Sequence, residues 1–297
     1  GLPTTANYIV VSALLAPVIV TLGQQNGLIV PLIAVHLFVF YFGIMADVTP
    51  PVGLASFAAA AVSGGDPIKT GFVAFFYSLR TAALPFLFIF NNQLLLIDVG
   101  WVEGIMVFVV ATIAMLVFAA ATQGWFFDRL RAWEIPLLLL IAFSLFRPGF
   151  WMDMISPPFS DVPPSEISAA VEATDPGKEL RLRIAGLDQY GSPVEFVAPI
   201  VVPEGASGDE KLAAAGITLR QDGDKMIVDD VGFDTVAQKA GLDWDQEILG
   251  VRQPNDQPSK YWIYIPTLIV LGGIVMMQRR RAAGSAQAGA VADKGRS

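Results

Sequence analysis

The sequence predicts a multi-pass α-helical membrane protein that carries one small α+β extracytoplasmic domain, and three observations lead there. First, 54% of the 297 residues are apolar, the mean hydropathy is +0.56 and only 15% are charged, where soluble domains carry about 25%. Second, the charge divides unevenly. Residues 150–260 hold 20 acidic against 9 basic side chains, a net of −11, whereas the rest of the chain holds 7 against 10, a net of +3. Third, residues 1–65 contain a single acid, Asp47, and no Lys or Arg, a pattern tolerated only in lipid-embedded or protein-buried chain.

Composition also excludes several chemistries. With no cysteine there is no disulfide framework, zinc-thiolate site or cysteine nucleophile. One histidine, His36, leaves no basis for a histidine metal site or triad, and it reads as a packing or hydrogen-bonding residue. The first residues, Gly1-Leu2-Pro3-Thr4-Thr5, read as the inside of a structured element, with no initiator Met, basic n-region or cleavage site. The chain therefore reads as a fragment.

Apolar runs near the ~20 residues needed to span a bilayer place helices at 6–22, 29–63, 70–90, 104–122, 135–150 and 261–278. The second run is too long for one span, at roughly 52 Å for 1.5 Å per residue. Its middle, Asp47-Val48-Thr49-Pro50-Pro51-Val52-Gly53, cannot continue a helix because each proline removes a backbone donor and clashes with the preceding turn. Two half-helices joined by non-helical backbone are expected. Lys69, Arg129 with Arg131, and Arg279-Arg280-Arg281 belong on the cytoplasmic side by the positive-inside rule, which leaves 151–260 outside. Trp101, Trp125, Trp133, Trp151 and Trp262 fall near the predicted interfaces.

Two uncharged Pro/Thr-rich stretches form the candidate site. The first contains Pro3, Thr4, Thr5 and Asn7; the second contains Asp47, Thr49, Pro50, Pro51 and Gly53. Unwound backbone at membrane depth offers carbonyl oxygens to Na⁺, and half-helix N-termini offer N–H groups to anions. Thr5, Asn7 and Thr49 supply hard, uncharged oxygen ligands. A structural role for the same prolines and glycines in shaping helix packing stays open. Asp47 reads either as a coupling-ion or gating carboxylate or as a cap for the second half-helix. Arg80, ~16 Å along its helix from Lys69, calls for a buried partner, either a carboxylate elsewhere or the substrate. Asn91-Asn92 reads as a loop at the outer end of its span.

These motifs also carry a resemblance. Gly1-Leu2-Pro3-Thr4-Thr5-Ala6-Asn7-Tyr8-Ile9-Val10, His36 to Gly43, Ala46-Asp47-Val48-Thr49-Pro50-Pro51-Val52-Gly53 and Asp66-Pro67-Ile68-Lys69-Thr70-Gly71-Phe72 closely resemble the fused permease of the tripartite ATP-independent periplasmic (TRAP) transporters, in its TAXI-type branch. The resemblance implies half of an inverted-repeat, elevator-type transporter over residues 1–95, with a re-entrant hairpin tip at the Pro-Thr-Thr-Ala-Asn stretch, a hairpin arm at 6–22 and a broken helix at 29–63. It also implies Na⁺ as coupling ion, a small organic anion as substrate, and delivery by a periplasmic substrate-binding protein. No organic cofactor is expected, the partners are membrane lipid and that binding protein, and nucleic acid is not among them.

The acidic region is expected to fold on its own. Ser156-Pro157-Pro158 and Val162-Pro163-Pro164-Ser165 read as a semi-rigid linker, and 179–184 and 196–202 as strands. Gly216 to Leu219, Met226 to Val231, Ala237-Gln238-Lys239-Ala240-Gly241-Leu242 and Glu247 to Val251 resemble the last part of a PDZ-type fold, without its glycine-rich carboxylate-binding loop. The same arrangement resembles a periplasmic insert of some fused TAXI-type permeases. Its net −11 serves solubility or docks a basic partner. The tail, 279–297, reads as a cytoplasmic topology anchor followed by a disordered end. Two alternatives to a permease remain at this level: a non-transporting anchor for the outer domain, and a membrane protease. The protease lacks an HExxH motif, a nucleophile elbow and paired intramembrane aspartates.

Overall fold

The computed structural model describes residues 4–97, 99–187 and 191–294, with the side chains of Thr4, Arg80 and 285–294 outside that description. The chain divides into two units: 1–13, 33–155 and 258–297 form one, and 14–32 with 156–257 form the other.

The first unit is helical. Helix α1 (Thr4–Gln25) begins in this unit and passes at Leu14 into the second; it contains Pro17 and leaves apolar side chains such as Ile9 and Leu14 58% and 68% exposed. Helix α2 (Leu32–Met45) ends four residues before the Pro50-Pro51 pair, and α3 (Leu54–Ser63) begins directly after Gly53. Gly64 ends α3 at φ 70°, a left-handed conformation that glycine adopts without a Cβ penalty. Asp66 then caps α4 (Pro67–Tyr77), its Oδ1 accepting from the Lys69 N–H at 2.7 Å with Pro67 at the first helical position, an arrangement that satisfies one orphan donor and uses proline where none is lost.

Where the sequence places one helix at 70–90, α4 stops at Ser78 and α5 (Leu79–Phe90) continues from it, and together they form an apolar candidate span of 24 residues. The expected 135–150 span also differs. Helix α7 (Glu134–Phe146) meets α8 (Pro148–Ile155) at 81°, because Pro148 cannot donate to the preceding turn and its ring blocks a straight continuation. Among the described residues, four helices are long and apolar enough to cross a membrane, or five if the bent pair is one span.

Helix α6 (Trp101–Gln123) buries Val107, Val110, Ala114, Val117 and Ala121, a 3-4-3-4 spacing that brings one stripe against a neighbour. Its neighbours are α7, through Leu138, Ile141, Ala142 and Leu145, and α12 (Tyr264–Lys294), through Leu271 and Ile274. Ala114 and Ala121 are 0% and 2% exposed, and such small residues let helix backbones approach where lipid supplies no hydrophobic drive. Helix α12 runs on to Lys294 rather than ending at Arg279; the expected disordered tail is helical as far as the description reaches, since Ala282 to Lys294 is dominated by alanine, the best helix former.

The second unit contains an antiparallel sheet. Its strands β1 (Phe159–Val162), β2 (Glu179–Leu187), β3 (Pro193–Val201), β4 (Ile217–Asp222), β5 (Lys225–Val231) and β6 (Glu247–Pro254) are ordered β3-β2-β6-β5-β4, with β1 also on β6. Strand β2 alternates as its sequence demands: Leu180, Leu182 and Ile184 are at most 1% exposed, while Arg181 and Arg183 point away from the core. Short helices α9 (Ile167–Ala173), α10 (Gly208–Ala215) and α11 (Val236–Lys239) complete the core around Ile167, Val171, Leu212, Ala215 and Ala237.

The expected proline-rich linker is instead part of this sheet. Phe159 to Val162 pair with Pro254 to Val251, and the Asn255 N–H donates to Pro158 O at 2.9 Å. Flanking prolines suit a peripheral strand, which needs few donors beyond one ladder. Entry and exit of the domain are thereby zipped together.

Candidate transport site

The site is built from the end of α2 outward. Tyr8 on α1 packs its ring edge-on against Phe40, with centroids 5.6 Å apart, and its hydroxyl lies 2.9 Å from His36 Nδ1. These contacts hold the start of α1 along α2. One turn further, Asn7 Nδ2 donates to Gly43 O at 3.3 Å. The Asn7 amide lies close over Gly43, where a Cβ would be in ordinary contact with Nδ2 at 3.4 Å.

Beyond Met45 the chain tightens. Asp47, Val48 and Thr49 donate their N–H groups to Ile44, Met45 and Ala46 carbonyls at 3.2, 3.1 and 3.4 Å, and Thr49 Oγ1 donates to Met45 O at 2.7 Å. Asn7 and Thr49, 42 positions apart in sequence, therefore converge on carbonyls two residues apart at the C-terminal end of one helix. A helix C-terminus carries partial negative charge and suits a cation.

The backbone and the side chain of Asp47 have different surroundings. Its carbonyl accepts the Ala55 N–H at 3.0 Å and so satisfies a donor in the first turn of α3, while Gly53, at the cap position, offers no side chain. The carboxylate does not cap α3. It is half-buried and, among the described residues, has neither an ion-pair partner nor a hydrogen bond.

Pro50 seats against Gly71 of α4, where a Cβ would come within 2.9 Å of Pro50 Cγ and 3.7 Å of Ser56 Cβ. Ser56 itself escaped the sequence reading. It is 3% exposed and, among the described residues, its hydroxyl has no partner, an uncommon state for a buried polar group. The available signal was a Ser in the first turn of the half-helix that follows the break.

Of the other predicted residues, Pro3 and the side chains of Thr4 and Arg80 lie outside the described residues; Thr5 is exposed, Pro50 half-buried, Pro51 exposed and Gly53 buried. Among the described residues there is no group of three His, Cys, Asp or Glu placed to hold a metal. Any cation at this break would rely on Thr49 Oγ1, the Asn7 side-chain oxygen, the Asp47 carboxylate and backbone carbonyls, a donor set suited to a hard ion.

Two family models match the chain. The first 103 residues match the tripartite ATP-independent periplasmic transporter, DctM component. Residues 104–283 match the domain of unknown function DUF3394, which covers more than half of the chain. The chain belongs to the DUF3394 family. No curated protein and no solved structure matches it.

The boundary between the two matches falls in the first turn of α6, so the whole break site lies in the DctM segment and DUF3394 comprises most of α6, the bent α7–α8 pair, the sheet and α12 to Ala283. DctM is a component of a transporter, not an enzyme family, and the DctM match together with the apolar helices fits a multi-pass membrane protein of the bacterial inner membrane. Within the first unit, DUF3394 meets the DctM segment through polar contacts. Asn91 Nδ2 donates to Phe146 O at 2.6 Å, the Arg147 guanidinium sits 4.4 Å from the Phe90 ring centroid, and Tyr261 shares a hydrogen bond with Glu103 and another, at 3.2 Å, with Gln93.

Proposed function

We propose that the chain forms part of a Na⁺-coupled secondary transporter permease, of TAXI type, that takes up a small organic carboxylate delivered by a periplasmic substrate-binding protein. The observation that carries this reading is the break between α2 and α3. There Asn7 and Thr49 converge on the end of α2, the Asp47 carboxylate stands without a partner among the described residues, and the segment matches DctM. A half-buried carboxylate at membrane depth costs free energy unless a cation or proton accompanies it. Na⁺ bound there neutralises Asp47, and the first-turn N–H groups of α3 then face an anionic substrate. Elevator-type movement and a PDZ-like fold of the sheet domain belong to the same proposal, and the placement of the basic residues supports an outer location for 151–260.

Uptake in proteoliposomes with the full-length permease and its binding protein tests the reading. Transport is expected to require an inward Na⁺ gradient and to lose its Na⁺ dependence in Asp47→Asn and Thr49→Ala. Uptake that proceeds equally without Na⁺ overturns the coupling. Wild-type Na⁺ dependence in Thr5→Ala, Asn7→Ala, Asp47→Asn and Thr49→Ala overturns the site.

A further inference from the structure

The sequence presents two separate basic segments, at Arg129/Arg131 and Arg279 to Arg281, 148 positions apart. The structure brings them to one place. The turn between α6 and α7 is closed by Leu130 N–H donating to Gly124 O at 3.0 Å and by a bridge between Trp125 and Arg129. It is then fastened to α12: the Phe127 N–H donates to Gln278 Oε1 at 3.1 Å, the Arg279 guanidinium lies 4.8 Å from the Phe127 ring centroid, and Arg281 Nη2 reaches Arg129 O at 3.5 Å.

The five arginines there have different surroundings. Arg281 pairs with Glu134, which is fully buried, at 2.9 Å and with Asp128 at 3.5 Å, and these are the acids of the cluster. Arg129, Arg131, Arg279 and Arg280 are exposed, and among the described residues none has a carboxylate within ion-pair distance. Trp125 and Trp133, 58% and 48% exposed, stand beside them. The cluster therefore sits where apolar helix gives way to polar chain, flanked by aromatics of the kind that settle at headgroup depth.

We propose that Arg129, Arg131, Arg279 and Arg280 form a single site for the phosphate of an anionic phospholipid headgroup. Guanidinium forks match phosphate oxygens bidentately, and at this depth the abundant phosphate is that of lipid. The buried Glu134–Arg281 pair positions the turn so that the two segments address one headgroup. The inference rests on these helices spanning the membrane and is independent of the transport reading.

Native mass spectrometry of the full-length protein in detergent, titrated separately with phosphatidylglycerol, phosphatidylcholine and inorganic phosphate, tests it. Phosphatidylglycerol is expected to be retained in preference to phosphatidylcholine. Replacing either pair, Arg129→Gln with Arg131→Gln or Arg279→Gln with Arg280→Gln, is expected to weaken that retention about thirtyfold. Equal retention of the two lipids, or a loss confined to one pair, overturns the shared site. Inorganic phosphate that competes at the same concentration as the lipid shows that a free phosphate is the ligand and overturns the lipid assignment. Because removal of arginines can disturb insertion, the fourfold Arg→Lys variant keeps charge and topology; it is expected to lose the preference several-fold, and full retention by it reduces the cluster to simple charge attraction and overturns the site.

Discussion

Gly71→Ala is a direct probe of the break site. Its new Cβ would lie 2.9 Å from Pro50 Cγ, and the proline ring cannot swing aside as a flexible side chain does. Relief requires α4 or the Asp47–Gly53 segment to shift by roughly half an ångström or more, and such overpacking costs about 1–3 kcal/mol. Alanine recovers at most about 1 kcal/mol of helix propensity. Gly272 in α12 is the matched control, since nothing lies within 4 Å of its Cβ; Gly272→Ala is expected to be neutral or to stabilise by up to about 1 kcal/mol. The displacement falls on the residues proposed to hold ion and substrate, where about 1–3 kcal/mol corresponds to a loss of roughly 5- to 150-fold in affinity. Thermal unfolding of the purified variants measures the first effect, and uptake as a function of Na⁺ concentration measures the second. A Gly71→Ala protein that melts and transports like the Gly272→Ala control refutes the claim that Pro50 and α4 are packed against each other.

Three further outcomes follow from other contacts. Arg281→Met leaves the Glu134 carboxylate, fully buried and otherwise held by Gln278 Nε2 at 3.0 Å and the Arg131 N–H at 2.9 Å, without its cation; a loss of about 3–5 kcal/mol is expected, and Glu134→Gln in the same chain should recover most of it in thermal unfolding. Lys211 is 6% exposed and donates to the Val171, Glu172 and Thr174 carbonyls at 3.3, 3.0 and 2.9 Å. Lys211→Met strands those acceptors at the end of α9, and urea unfolding of residues 156–257 followed by circular dichroism should show about 2–4 kcal/mol of destabilisation. The Lys225 ammonium is held above its ordinary range by its hydrogen bond to Glu247 and the charge of that carboxylate. A raised folded pKa contributes stability that is present below the ordinary lysine value and is lost as the pH rises through the raised one. Lys225→Met should therefore narrow the stability difference between pH 9 and pH 11.5 in the same urea assay.

Much of the architecture was legible because its signals are local. The charge partition separates a membrane part from a sheet domain, since lipid excludes unpaired charge wherever it occurs in the chain. Alternation in Glu179 to Ile184 matches β2, and Ala237 to Gly241 matches the short helix and the turn at Gly241, φ 91°. Asp47 to Gly53 announced itself through two prolines that no helix interior accommodates. Composition misled at the proline-rich stretch 156–165, which joins the sheet through β1, because a partner strand almost a hundred residues away supplies the pairing. The tail misled in the opposite sense, since its polarity hides a run of good helix formers.

The sequence by itself determined which segments are apolar enough to enter a membrane, where the long apolar run must break, and that Asp47 is the lone acid in it; each of these follows from hydropathy, charge and backbone chemistry within a few residues. Only the tertiary structure decided which groups meet. It placed Asn7 and Thr49 on one helix end, left the Ser56 hydroxyl without a partner among the described residues, gave the Asp47 carbonyl rather than its carboxylate the capping role, and gathered two distant arginine segments around one turn. The reason is physical: a hydrogen bond or ion pair depends on positions in space, and packing between helices joins residues whose separation along the chain carries no trace of their contact.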